Sequence, residues 1–162
     1  MNSLPDWLPD MFEVSPWTDH TFKQLYNIFR TDLVLRRLNY LGNNVWFYQE
    51  RDDGKEVLFW HITHREDKNR SAMRMPDLRR SERLPWVRPM IMKCPNQDDD
   101  MLNWDYEEGN KVVKTYIWLI NLDFVVIMKK YDDGRRRLIT SFHLDNNHEE
   151  RKMRKKYENR IL

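Results

Sequence analysis

Three apolar runs joined by very short links constrain this chain more than any other feature. They are KVVKTYIWLIN (111–121), FVVIMKKY (124–131) and RRLITSFHL (136–144), linked by Leu-Asp and by Asp-Asp-Gly-Arg. Val, Ile, Tyr and Phe dominate them, which suits strands. A parallel crossover needs a dozen or more residues, so links of two and four demand antiparallel pairing. The run FVVIM is apolar at successive positions, which predicts a central strand covered on both faces.

The rest of the chain fits around that meander. Residues 1–17 carry Pro5, Pro9 and Pro16 with Trp7, Phe12 and Trp17, an irregular arm whose aromatics should pack on the body. A single domain is expected over 18–162. Residues 18–41 read as helix: Thr18 or Asp19 caps the start, and Phe22, Leu25, Phe29, Leu33 and Leu38 recur at three- and four-residue steps. Gly42 is placed to terminate it, with a break near Thr31-Asp32 as the alternative. VWFYQ (45–49) and VLFWHITH (57–64) flank RDDGK, whose Asp-Gly pair predicts a hairpin. Residues 65–82 read as irregular or partly helical. Pro85 and Pro89 bracket an extended or turn-like WVR, and 96–110, with Asp98, Asp99, Asp100, Asp105, Glu107 and Glu108, reads as a solvated acidic loop. In the tail HEERKMRKKYENRI, Asn146 or Asn147 caps a basic helix with a docking stripe of Met153, Tyr157 and Ile161. The expected class is α+β: amino-terminal helix, antiparallel sheet of about five strands (hairpin plus three-stranded meander), carboxy-terminal basic helix.

Composition removes several functions. Four glycines leave no Gly-rich nucleotide cradle, and one cysteine, Cys94, rules out an internal disulfide framework or a Cys-based zinc site and suits a reducing cytoplasm. No apolar run approaches a membrane span, and MNSLPDWLPDMF lacks the basic and apolar regions of a secretory signal. A net charge of +2 hides an uneven distribution, basic over 65–93 and in the tail, acidic over 98–108. No nucleophile elbow or metal-ligand spacing occurs, so no metal or cofactor is expected.

Candidate chemistry concentrates in residues 57–92. Two histidines and Glu82 are interleaved there with Arg65, Arg79, Arg80, Arg83 and Arg88, and with Trp60 and Trp86. Guanidinium forks match phosphate oxygens, aromatic rings stack on bases, and imidazole moves protons near neutral pH. On one strand His61 and His64 would point to opposite faces, unless the strand ends before His64. His61 is the first choice for general acid–base work and His64 the second, either alone also reading as a polar residue near a sheet edge. Glu82 is a base or the orienting centre of an Arg-Glu-Arg network. In LITSFHL, Leu138, Thr140 and Phe142 would share one face and Ile139, Ser141 and His143 the other. Thr140 could donate to a phosphate, with Ser141 beside it.

The order of these pieces resembles a known family. YNIF with Asp32, DGKEVLFWHITH, PDLRRSERLPWVRPMI, a Trp118-bearing strand, FVVIMKKYDDGRRRLITSFHLD and HEERKMRKKYE together look like the phage- and mobile-element-associated branch of the Barnase–EndoU–ColicinE5/D–RelE-like nuclease superfamily, over residues 20–158. The resemblance implies a compact ribonuclease fold, acting as a toxin or in phage–host conflict, with RNA as substrate and an antitoxin or a phage or host protein as partner. It makes His61 the matching histidine, Arg79, Arg80 and Glu82 the polar block, Arg88 a phosphate contact and Thr140 the late-strand hydroxyl. The family pattern carries an aromatic hydroxyl two residues after that threonine, where this chain has Phe142. If that hydroxyl is required, this copy is weakened or inactive.

The expected function is a metal-independent endoribonuclease using the 2′-OH as nucleophile. His61, Glu82, Arg80, Thr140 and His64 form the candidate catalytic set, and Arg65, Arg79, Arg83, Arg88, Trp86 and Ser141 the substrate-binding set. A non-catalytic nucleic-acid-binding module and a protein-interaction domain using the acidic segment are the competing expectations.

Overall fold

The computed structural model describes residues 4–66, 74–96 and 100–162. The described part of the amino-terminal arm, residues 4–17, has neither helix nor strand, yet it is fixed to the body. Leu8 and Val14 are buried, and Trp7, Phe12 and Trp17 pack against the main core. The Phe12 N–H donates to the Glu82 carbonyl at 2.8 Å, and the Trp86 indole donates to the Pro9 carbonyl at 2.8 Å.

Thr18 caps α1 (Asp19–Phe29), its hydroxyl accepting from the Thr21 N–H at 3.2 Å. Thr21, Leu25 and Phe29 form the buried stripe. The helix then widens into a π-helical turn, Arg30–Val34, and stops. It does not reach Leu41. Leu38–Tyr40 is β1, which turns into β2 (Asn43–Trp46) through Leu41 and Gly42, with φ of 51° and 81°. Two residues with positive φ are what a two-residue hairpin turn requires, so Gly42 serves a hairpin and not a helix end.

The Asp-Gly reversal forms as expected, between β3 (Arg51–Asp52) and β4 (Lys55–Glu56). The segment after it does not: VLFWHIT is helix α2 (Val57–Thr63), not strand. Leu58, Phe59, Ile62 and Thr63 are buried, a helical spacing. Periodicity alone cannot divide so short an apolar run between the two states. Packing decides it, because the Phe59 ring meets Phe29 and Tyr26 of α1 at 5.4 and 5.1 Å.

β5 (His64–Glu66) and β6 (Arg74–Pro76) make a separate small ribbon. Residues 67–73 of the segment expected to be irregular lie outside the described residues. Asp77 caps α3 (Leu78–Glu82) by accepting from the Arg80 N–H at 3.1 Å. WVR is helical, within α4 (Leu84–Met92). Pro85 lies in the first turn, where no N–H is needed, and the burial of Leu84, Trp86, Val87, Met90 and Ile91 holds the helix through Pro89. Within the acidic segment, Asp98 and Asp99 lie outside the described residues, and the expected loop contains β7 (Met101–Glu107). Its Met101 and Trp104 are buried, which outweighs the surrounding charge.

β8 (Val113–Leu119), β9 (Phe124–Lys130) and β10 (Arg136–His143) form the expected antiparallel meander, followed by α5 (Asn147–Glu158) capped by Asn146. Among the described residues the main sheet has six strands in the order β1-β2-β10-β9-β8-β7. Only β2 and β10 are parallel, at Arg136 and Arg137. The α+β class holds, while strand membership differs: β1 and β7 are gained and 57–63 is lost. β9 is central and covered on both faces. Phe124, Val126 and Met128 enter the core with α1, α2 and α4, here the inner face. Val125 and Ile127 lie on the outer face with Met153 and Tyr157 of α5. Among the described residues no helix is long and apolar enough to cross a membrane.

Candidate nucleic-acid interface

Beyond Arg137, β10 has no strand on its β2 side among the described residues. α2 and α3 pack along that edge instead. A bulge between Leu138 and Thr140 changes which side chains share a face. Leu138 pairs with Met128 and joins the inner core, whereas Thr140 pairs with Ile127 and Phe142 with Val125, on the outer face. The uninterrupted alternation expected for LITSFHL is therefore corrected. Ser141 points inward, fully buried, and its hydroxyl has no hydrogen-bond partner among the described residues.

Arg80 ties this edge together. One of its η nitrogens donates to the His61 carbonyl at 2.8 Å, and Nε lies 3.2 Å from Asp77. The guanidinium also stands 5.8 Å from the centre of the Phe142 ring. Its second η nitrogen makes no hydrogen bond among the described residues. One arginine thus links α2, the α3 cap and the outer side of β10, where Thr140 precedes Phe142 by two residues. His61 itself is exposed, on α2.

Next to Arg80, the exposed Arg79 lies 3.8 Å from Asp145. Asp145 in turn holds Nδ1 of His143 at 2.9 Å. His143 and Asp145 were not among the expected site residues. The spacing H-x-D at the end of a strand was visible in the sequence but carried no signal without its neighbours. Asp123, in the left-handed region at φ 52°, has its carboxyl raised above the usual range by burial and by Glu150, opposed by His143.

The other expected residues are engaged structurally. His64 is buried among Trp17, Phe22 and Trp60, with ring centres 5.8, 5.8 and 5.0 Å away. The Thr63 hydroxyl donates to the Phe59 carbonyl at 2.6 Å, so its 2.7 Å contact with His64 makes Nδ1 the donor. Burial first, and the Arg74 charge second, push the His64 pKa down to about 4. Glu82 binds Arg83 at 2.6 Å, and Arg83 lies over the ring of Trp86. Trp86 is 1% exposed, which leaves no face for a base. Arg88 donates to the carbonyls of Asp32 and Arg37 at 3.0 and 2.9 Å, fastening α4 to the end of the π-helical turn. Arg65 is exposed on β5. Among the described residues no group of three or more His, Cys, Asp or Glu could hold a metal ion.

The edge of β10 therefore brings Arg79 and Arg80 beside Phe142, Asp145 and the backbone of His61, with Thr140 on the face of Phe142 and His143, two residues after the inward Ser141, on the opposite face. It does not gather His64, Glu82, Arg83, Trp86, Arg88 or Ser141 as solvent-facing groups. No family model, curated protein or solved structure matches the chain.

Proposed function

We propose that the chain is an endoribonuclease that cleaves RNA by 2′-OH transesterification at the outer edge of β10, using its own side chains. The observation that carries this reading is the pair Arg79–Arg80. Arg80 is bonded to the backbone carbonyl of the exposed His61 on α2, and Arg79 reaches the carboxylate that holds His143 at the end of β10.

Transesterification needs one group to take the 2′-OH proton and another to protonate the departing 5′ oxygen, leaving a 2′,3′-cyclic phosphate. His61 and His143 supply two imidazoles from separate elements. Asp145 orients the second, and the guanidiniums of Arg79 and Arg80 offer planar donors to the negative charge that builds on phosphorus. Thr140, on the same side as Phe142, is a hydroxyl donor for a non-bridging oxygen.

An oligoribonucleotide with one 2′-deoxy residue at the cleaved position, incubated in EDTA, tests the mechanism. The unmodified strand should be cut and the substituted strand left intact; cutting of both would overturn the mechanism. His61→Ala and His143→Ala should each lower turnover by about two to four orders of magnitude. Tight, salt-sensitive binding with no product from any RNA would favour the binding module instead.

A further inference from the structure

The strand register aligns a row of charge that the proposed cleavage site does not use. Lys114 on β8 stands directly opposite Lys129 on β9, and Lys129 directly opposite Arg137 on β10. Arg137 in turn stands beside Trp46 on β2. Lys129 follows Ile127 by two residues and Lys114 precedes Tyr116 by two, which places the row on the outer face. Like charges directly opposite on adjacent strands are destabilising. Among the described residues none of the three forms an ion pair with a carboxylate.

Of the nearby acids, Glu108 and Asp133 are committed elsewhere. Glu108, whose charge reaches Lys114, is held 3.2 Å from Lys156 and by the Tyr116 hydroxyl. In the β9–β10 turn Asp133 is held 2.7 Å from Arg135, and Asp132 is exposed. The cations face aromatic rings instead. Arg137 lies over Tyr48 at 4.3 Å, Lys129 over Tyr131 at 4.9 Å, and the Trp46 ring meets Tyr48 and Tyr131 at 5.4 and 5.7 Å. Tyr48 is 56% exposed, which is high for so large a ring.

We propose that the row Lys114–Lys129–Arg137, with Trp46, Tyr48 and Tyr131 beside it, is a binding track for a single-stranded RNA, distinct from the cleavage edge. The choice of RNA rests on the function proposed above. With adjacent strands about 4.8 Å apart, the three charges span about 10 Å, a scale on which a flexible chain of phosphates can meet them in succession. The exposed Tyr48, with the half-buried Trp46 and Tyr131 behind it, offers a stacking surface for unpaired bases. Arg137 and Phe142 are about 17 Å apart along the strand, so one strand of RNA would run from the track to the edge of β10.

The test uses the full chain and a fluorescein-labelled 2′-O-methyl oligonucleotide, which cannot undergo the cleavage. The triple variant Lys114→Gln, Lys129→Gln, Arg137→Gln should weaken binding at least about tenfold in dilute salt. It should also lower the slope of log affinity against log salt by about two, at about 0.7 per lost phosphate contact. Tyr48→Ala should weaken binding about tenfold with the slope unchanged, as loss of one stacked base predicts. Circular-dichroism melts establish that the variants are folded, and Lys129→Gln alone, expected to reduce the slope by about 0.7, replaces the triple variant if that fails to fold. Unchanged affinity and slope in folded variants would overturn the track. So would competition by polyglutamate as strong as by RNA, with no effect of Tyr48→Ala, which would point to an acidic polypeptide. Binding through the row by a chain that cuts no RNA would leave this proposal standing and remove the cleavage reading. Cutting of unmodified RNA by a parent chain whose row variants bind normally would do the reverse.

Discussion

Lys130 and Arg136 face one another on the inner face of the sheet; Lys129 and Arg137, their chain neighbours, face one another on the outer face. The inner pair shares one carboxylate. Asp105 lies 3.2 Å from Lys130 and 3.5 Å from Arg136. The Arg136 Nε donates to the Thr115 hydroxyl at 3.0 Å, and that hydroxyl donates to Asp105 at 2.6 Å. The outer pair, extended by Lys114, has rings and solvent but no ion-paired carboxylate among the described residues. Burial accounts for the contrast. Arg136 is 5% exposed, and an unpaired charge there would be strongly destabilising. On the outer face water screens the repulsion, so the same residue types can be left unpaired and available to a ligand.

The comparison breaks most visibly at Asp105. Asp105→Ala should cost about 3 kcal/mol of stability, read from urea unfolding, because it leaves buried Arg136 without its counter-charge. A cost below about 1 kcal/mol would show that the inner cations are as well solvated as the outer ones.

His64 sharpens the contrast from a different side, as a buried base with no carboxylate hydrogen-bonded to it among the described residues. Its folded pKa, about 4, lies below the ordinary value of 6.5. The unfolded chain therefore binds the extra proton between those two values. The stability linked to neutral His64 is complete above about pH 6.5 and is lost as the pH falls toward 4. His64→Phe should flatten that part of the pH profile of unfolding; a profile identical to the parent's would show that other groups carry the acid sensitivity.

On the outer face the effects are smaller and of opposite sign. Lys129→Thr should raise stability by about 0.5 kcal/mol by removing the central charge from the row. Raising sodium chloride from 0.05 to 0.5 M should stabilise the parent by about 0.3 kcal/mol, and the Lys129→Thr variant by less. Equal salt responses in both would mean that the row carries no repulsion.

The legible parts of the chain are those fixed by nearby residues. The meander, the central position of FVVIM, the Asp-Gly reversal, the Thr18 and Asn146 caps and the aromatic arm all follow from short-range rules. VLFWHIT was illegible because seven mostly apolar residues satisfy a buried strand as well as a buried helix, and only the rings of α1 separate the two. The acidic residues around β7 concealed its apolar ones. In the candidate site, residue types alone marked His61, Arg79, Arg80 and Thr140, and the β10 edge assembles around Arg80. His143 and Asp145 went unnoticed, because a dyad two residues apart has no meaning until α3 packs beside it. Trp86, Arg83 and Arg88 carry the residue types of a phosphate site, but burial or carbonyl partners have committed them to structure.

By itself the sequence determined that residues 111–144 fold back and forth as strands, because links of two and four residues permit nothing else. It also determined which side chains could bind phosphate or move a proton. Only the tertiary structure decided which of them remain free to do so. An arginine's availability depends on whether a carboxylate or a carbonyl from a distant segment reaches it first, and the register that lines up Lys114, Lys129 and Arg137 with no ion-pair partner among the described residues is set between strands rather than within them.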